Sequence, residues 1–177
     1  LGYCLYISEA QDQAEEHLGN CKILIEHEES RLAEFYPHMA IDSAAIVSGK
    51  KAADRTDLFI TKGGFIARAK GLNSKLRGLR IGNLRPDDIK LDDIDGVNDS
   101  IAVSLKKLKQ ITASVIPTQA RRWATIDFGQ NLIAENGVMA QIHTGKSDAF
   151  AERTVIGVSN TFINFREGKE YKTSFDE

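Results

Sequence analysis

The strand that opens this chain constrains its fold more than anything downstream. Tyr3-Cys4-Leu5-Tyr6-Ile7 is short, apolar and aromatic, and Ser8 stops it. A run that is apolar on both alternating faces belongs to a strand covered on both sides, the pattern of a parallel sheet. Parallel strands need crossover connections, usually helices. The next segment supplies one: Ala10, Ala14, Leu18, Cys21 and Ile25 recur at steps of three and four, and Ser8 and Gln11 stand at capping-box spacing. Gly19 lies inside that helix and costs about 1 kcal/mol relative to Ala. The chain begins at Leu1 rather than Met and enters the strand at once.

The alternation continues. Between Ser30 and Asp57 the periodicity fades into a mixed helix-loop region around Pro37 and Gly49. Leu58 to Thr61, a Lys62-Gly63-Gly64 turn, and Phe65 to Ala69 predict a hairpin. Lys70 to Arg80 is basic, carries no helical stripe and is expected to be flexible. Pro86 then introduces Asp87 to Asp95, a strand ending in carboxylates. Ile101, Leu105, Leu108 and Ile111 form one face of a helix, with Lys106, Lys107 and Lys109 off it. Trp123 to Phe128 reads as a strand ended by Gly129-Gln130-Asn131, followed by a short helix from Val138 to His143 and a strand from Val155 to Val158. Residues 166–177 are charged and expected to be extended. Strands separated by helices imply an α/β fold, a largely parallel sheet flanked by helices, with ligand chemistry at the strands' carboxyl ends.

At 177 residues the chain is long enough for one domain with a sizeable core. Lys and Arg number 23 against 25 Asp and Glu, a net charge of -2. A nucleic acid must therefore be held by a local patch rather than by global charge. No apolar run approaches the ~20 residues that span a bilayer. Cys4 and Cys21 are too few for a disulfide framework, which fits a reducing, intracellular setting.

The acidic strand end is the strongest chemical signal. Nucleotide hydrolysis needs one carboxylate to hold Mg2+ through its water shell and another group to orient the attacking water. Asp92 and Asp93 supply both, yet neighbouring side chains on a strand point to opposite faces, so the two meet one phosphate only if the chain bends at Asp93. Lys90 is out of place in a covered parallel strand. Gln130, at the end of a strand neighbouring the acidic one, can donate to a phosphate oxygen and accept from water, and Gly129 lets the backbone switch. Arg77 and Arg80 can steady transition-state charge or contact DNA. Ala140 to Ser147 has phosphate-loop spacing, but such a loop needs a buried strand just before it, and Glu135 to Met139 is a poor strand. His17 and Cys21, one helical turn apart, do not by themselves define a zinc site.

Taken in order, these pieces resemble the ATPase domain of bacteriophage terminase large subunits, the motors that package viral DNA. Ile7-Ser8-Glu9-Ala10-Gln11-Asp12-Gln13-Ala14 resembles the family's strand-to-helix segment. Leu76-Arg77-Gly78-Leu79-Arg80, then Arg85-Pro86-Asp87 and the acidic strand, resemble its run from an Arg-Gly element into Walker B. Phe128-Gly129-Gln130-Asn131 resembles its coupling motif. The likeness covers roughly residues 3 to 165.

The resemblance implies a P-loop NTPase-like fold, with residues 1–165 as a partial ATPase domain and 166–177 as a tail. It implies ATP and Mg2+ as cofactors, Asp92 as the metal carboxylate, and Asp93, where the family often has Glu, as the residue that aligns or deprotonates water. Gln130 would sense the γ-phosphate and touch the nucleotide, and Arg77 or Arg80 would be an arginine finger. The implied partners are double-stranded DNA, the small terminase subunit, the portal protein and further copies in a ring, in the host cytoplasm. No family-type P-loop precedes Leu1 and the family's nuclease domain is missing, so the chain is expected to be an internal fragment, inert alone. Two other readings stand beside it: a non-enzymatic packaging or structural remnant, and a phosphotransferase using the loop from Ala140 to Ser147.

Overall fold

The computed structural model describes residues 2–120, 124–130 and 134–143. The opening strand β1 (Tyr3–Ser8) leads into helix α1 (Gln11–Glu26). After short helical turns, one of them α2 (Leu32–Phe35), comes a ribbon of β2 (Ile46–Val47) and β3 (Lys50–Lys51). Strands β4 (Leu58–Ile60) and β5 (Ile66–Gly71) make the expected antiparallel hairpin, with Gly64 at φ 82 in its turn. β6 (Asp88–Asp92), α3 (Ile101–Gln110), β7 (Thr125–Gly129) and α4 (Val138–His143) complete the described elements. The sheet order is β4-β5-β1-β6-β7, with β5, β1, β6 and β7 all parallel. The α/β expectation holds at this level, and β1 lies at the centre of the sheet. No helix among the described residues is long and apolar enough to cross a membrane.

Two cores flank the sheet. On one face Leu5 and Ile7 stand opposite Ile89 and Leu91 and pack with Leu108, Ile111 and Val115 from α3 and its continuation, and with Val138 and Ile142 of α4. Each fully enclosed aliphatic side chain there contributes about 2 kcal/mol. On the other face, Ala14 and Leu18 of α1 cover Ala67 and Ala69 of β5, together with Phe59. The basic stretch after β5 is anchored rather than free, because Leu72 and Leu76 enter the first core. The strand expected at Val155 to Val158 and the tail 166–177 lie outside the described residues.

Two sequence expectations need correction. The Ser8–Gln11 capping box does not form: Ser8 continues β1, opposite Gly71 and fully buried, and α1 begins after Ala10 with no side-chain cap. Gln11 instead accepts the Gly71 N–H at 2.8 Å through Oε1 and donates to Glu15 at 2.7 Å. The face of α3 also differs. Ile101 is 57% exposed and Leu105 51%, whereas Ser104, Lys107, Leu108 and Ile111 are buried. The ammonium of Lys107 finds three oxygen partners beneath the helix, and those bonds turn the helix away from its most apolar stripe.

Lys90 also finds its explanation. Asp88, Lys90 and Asp92 alternate on the half-exposed face of β6, and Lys90 pairs with Asp127 across the strands and with Asp88 at 3.1 Å. This face of β6 and β7 is polar, so the strand need not be apolar on both sides.

α1 starts close against the sheet at Gly71, where an added Cβ would lie 2.7 Å from the Gln11 nitrogen, whereas a Cβ at Gly19 meets nothing within 4 Å. Gly71→Ala should therefore lower stability by about 1–3 kcal/mol through overpacking against backbone. Gly19→Ala should raise it by about 1 kcal/mol. Denaturant midpoints at equal m-value check both, and a neutral Gly71→Ala would refute the close packing.

Candidate functional site at the carboxyl edge of the sheet

Because β1, β6 and β7 run parallel, their carboxyl ends reach the same edge: Ser8-Glu9, Asp92-Asp93 and Gly129-Gln130. Asp92 ends β6 opposite Gly129, and its Oδ2 accepts the Tyr6 phenol. Burial pushes the Tyr6 hydroxyl above its usual range, and the bond to Asp92 raises it further. At Asp93 the backbone turns left-handed, φ 47. Aspartate is among the side chains that tolerate this region at modest cost. The turn breaks the alternation that would send Asp93 to the opposite face, and its Oδ2 accepts from Gln13 of α1 at 3.4 Å. Tyr6 stacks on His17 of the same helix, ring centroids 5.7 Å apart. Both carboxylates therefore stand on the α1 side of the sheet, through the bend that sequence reasoning required.

Gln130 acts as a clasp. Its Oε1 accepts the N–H of Ile94 at 2.6 Å and of Asp95 at 3.0 Å, tying the end of β7 to the loop leaving β6. Asp95, 7% exposed, then accepts the N–H of Val138 at 2.7 Å and of Met139 at 3.2 Å, satisfying the first turn of α4. A Cβ at Gly137 would lie 2.6 Å from Asp95 Oδ2, so a side chain there would push the carboxylate off its partners. The chain of bonds runs from Gln130 through the acidic loop to α4.

Lys107 is the buried cation of this edge. Its Nζ donates to Glu9 Oε1 at 2.7 Å, to the Ile94 carbonyl at 2.7 Å and to Asp99 Oδ2 at 2.6 Å. All three ammonium protons are used. The exit of β1, the exit of β6 and the approach to α3 are thereby fastened to one charge. Sequence reasoning placed Lys107 off the buried face and missed Tyr6 and Asp95 as site residues. The available signal was slight: Lys107 lies beside Ser104 and Leu108 on a helical wheel.

The arginines are elsewhere. Arg77 donates from Nε and Nη2 to the Ala113 carbonyl at 3.2 and 3.0 Å, holding the loop to the continuation of α3. Arg80 is exposed and makes no hydrogen bond or ion pair among the described residues. Its neighbour Ile81 packs against the cluster of Tyr3 and Ile66, at the amino ends of β1 and β5. A six-residue strand puts that edge about 20 Å from the carboxylates. Within one chain the fold does not bring Arg80 to Asp92 and Asp93.

Ala140 to His143 are helical, in the last turns of α4, so the first half of the P-loop-like spacing is a helix rather than a loop. Gly145, Lys146 and Ser147 lie outside the described residues. Among the described residues no three His, Cys, Asp or Glu side chains gather as a metal cage. The Cys4 thiol is pushed up to about 12 by burial and by neighbouring Asp88, which makes it a poor nucleophile.

The Lys107 cluster carries a pH signature. Burial alone would raise the Asp99 pKa, but the Lys107 ammonium and the Gly96 N–H outweigh it and hold it low. Its stabilisation is complete above the ordinary aspartate value of about 3.9 and is lost as pH falls through the lower folded value. For Lys107 burial acts downward, while the bonds to Asp99 and Glu9 hold the pKa above its usual value. That stabilisation is present at neutral pH and lost as pH rises through the folded value. Lys107→Met should cost about 3 kcal/mol at neutral pH by stranding Asp99. Chemical denaturation of both proteins should show the gap narrowing in acid as Asp99 protonates; a gap independent of pH would contradict the pairing.

Set against family models, curated proteins and solved structures, the chain finds no match among them.

Proposed function

We propose that this chain is the distal part of the ATPase domain of a phage terminase large subunit, a motor that couples ATP hydrolysis to movement of double-stranded DNA. The observation that carries the reading is the arrangement at the carboxyl edge. An inner strand presents Asp92 and, after a left-handed bend, Asp93 on one side of the sheet, and Gln130 from the next parallel strand clasps the same loop. Ligands of open α/β sheets bind at this edge.

Mg2+ suits Asp92. The cation is commonly bound by one or two carboxylates plus waters and phosphates rather than by a protein cage. Beside Asp92 Oδ1 is the space that a Cβ at Gly129 would fill, 3.5 Å away. When bound, the ion would neutralise charge on the nucleotide phosphates. Asp92 would hold the ion, and exposed Asp93 would orient the attacking water and accept its proton. Gln130, whose carbonyl oxygen is committed to the acidic loop, would offer its amide N–H to a γ-phosphate, so that phosphate loss is felt through Asp95 at α4. The groups that cradle the phosphates would come from a segment upstream of Leu1. Arg80, at the opposite edge, suits a finger reaching the nucleotide of a neighbouring copy in a ring. The small terminase subunit and the portal protein would be partners, in the host cytoplasm. The helical conformation of Ala140 to His143 weighs against the phosphotransferase reading.

Purified as it stands, the chain should show no ATP turnover, because on this reading the Lys and backbone N–H groups that cradle the phosphates belong to the upstream segment. Joined to its upstream coding segment, it should hydrolyse ATP, and Asp93→Asn should slow this by on the order of 10²-fold while nucleotide binding persists. Turnover by the unextended chain, abolished by Lys146→Ala, would instead favour the phosphotransferase.

In the completed motor, Arg80→Ala should reduce hydrolysis by ~10³-fold or more. Mixing it with an Asp93→Asn motor should restore activity, because intact arginines and intact acidic sites then face each other across some subunit boundaries. An Arg80→Ala motor with normal hydrolysis and weakened, salt-dependent DNA affinity would make Arg80 a phosphate-backbone contact instead.

A further inference from the structure

We infer that Tyr6 is a positioning residue for Asp92, fixing which carboxylate oxygen is presented to a divalent cation; the inference rests on the proposed role of Asp92. Tyr6 pairs with Lys90, two residues before Asp92 on the same face of the neighbouring strand. The diagonal offset lets the long phenol reach the carboxylate at the strand end. It donates to Oδ2, while Oδ1 stands beside Gly129, 3.5 Å from where a Cβ there would lie, and takes part in no hydrogen bond among the described residues. Asp92 thus has one oxygen tethered and one presented.

The tether is itself held. The Tyr6 ring stacks on His17 of α1 with planes tilted by 50° and is half-buried, so its hydroxyl approaches Asp92 from a fixed direction. Lys90, on this face, is occupied by Asp88 and Asp127, and Gln13 of α1 is directed to Asp93. A hydrogen bond to one oxygen of a ligating carboxylate fixes its orientation, and loss of such a partner typically lowers metal affinity 10–100-fold. Phenylalanine at this position would keep the ring packing and remove only the O–H.

Mn2+ alone, titrated into the 177-residue chain, tests this. Free Mn2+ is followed by its paramagnetic resonance signal, and the tyrosines by near-ultraviolet difference absorbance. The wild-type chain should bind Mn2+ with a tyrosine perturbation. Tyr6→Phe should bind about tenfold more weakly and lose the perturbation, whereas Tyr36→Phe, at an exposed position remote from the edge, should change neither. Asp92→Asn should lose both binding and signal. If Asp92→Asn loses binding while Tyr6→Phe binds normally, or if wild-type binding leaves the tyrosines unperturbed, the positioning role falls and the metal role of Asp92 stands. If Asp92→Asn binds as well as wild type, or the wild-type chain binds no Mn2+, the metal role falls and the inference with it.

Discussion

One buried ammonium organises the carboxyl edge of this protein's sheet. Lys107 reaches under α3 to Glu9, to the Ile94 carbonyl and to Asp99, and each partner belongs to a different segment. A charge taken from water tolerates no unmet hydrogen bond, so the three segments are held together or the charge is stranded. The apolar cost is visible on α3, where Ile101 and Leu105 face solvent. In exchange the exits of β1 and β6 have one relative position, and with it Asp92 and Asp93 have a fixed place on the edge.

The rest of the edge repeats that logic with hydrogen bonds to backbone N–H groups. Asp93 leaves the strand by a left-handed turn, Gln130 clasps the loop that follows, and Asp95 passes the connection to the first N–H groups of α4. Each bond satisfies a backbone donor that would otherwise be orphaned at the end of a strand or the start of a helix. Structure and proposed signalling therefore use the same contacts: what moves Gln130 must move the acidic loop, and what moves Asp95 must disturb α4.

The two edges of the sheet divide the proposed labour. The carboxylates occupy the carboxyl edge, whereas Arg80 stands beside the amino ends of β1 and β5, next to Ile81 in the Tyr3 and Ile66 cluster. A catalytic centre that needs both would have to be assembled from two copies. Between the edges, the α1-side face of β6 and β7 is polar, lined by Asp88, Lys90 and Asp127.

By itself the sequence determined the element types and the α/β class, because periodicity is local: β1, α1, the hairpin, β6, β7 and α4 can each be read within a dozen residues. It also determined that Asp92 and Asp93 end a strand and that a bend at Asp93 is needed to bring them together. The tertiary structure alone decided which way α3 faces, since the partners of Lys107 come from residues 8 to 98 positions away. Ser8 did not become a cap, because its pairing with Gly71 is likewise a long-range fact. Tyr6 met Asp92, and Arg80 came to lie at the far edge, only through strand order. Alternation and helical period specify which face a residue can share with its neighbours in sequence, whereas the pairing of strands and the oxygens gathered around a buried charge depend on segments that meet only when the whole chain folds.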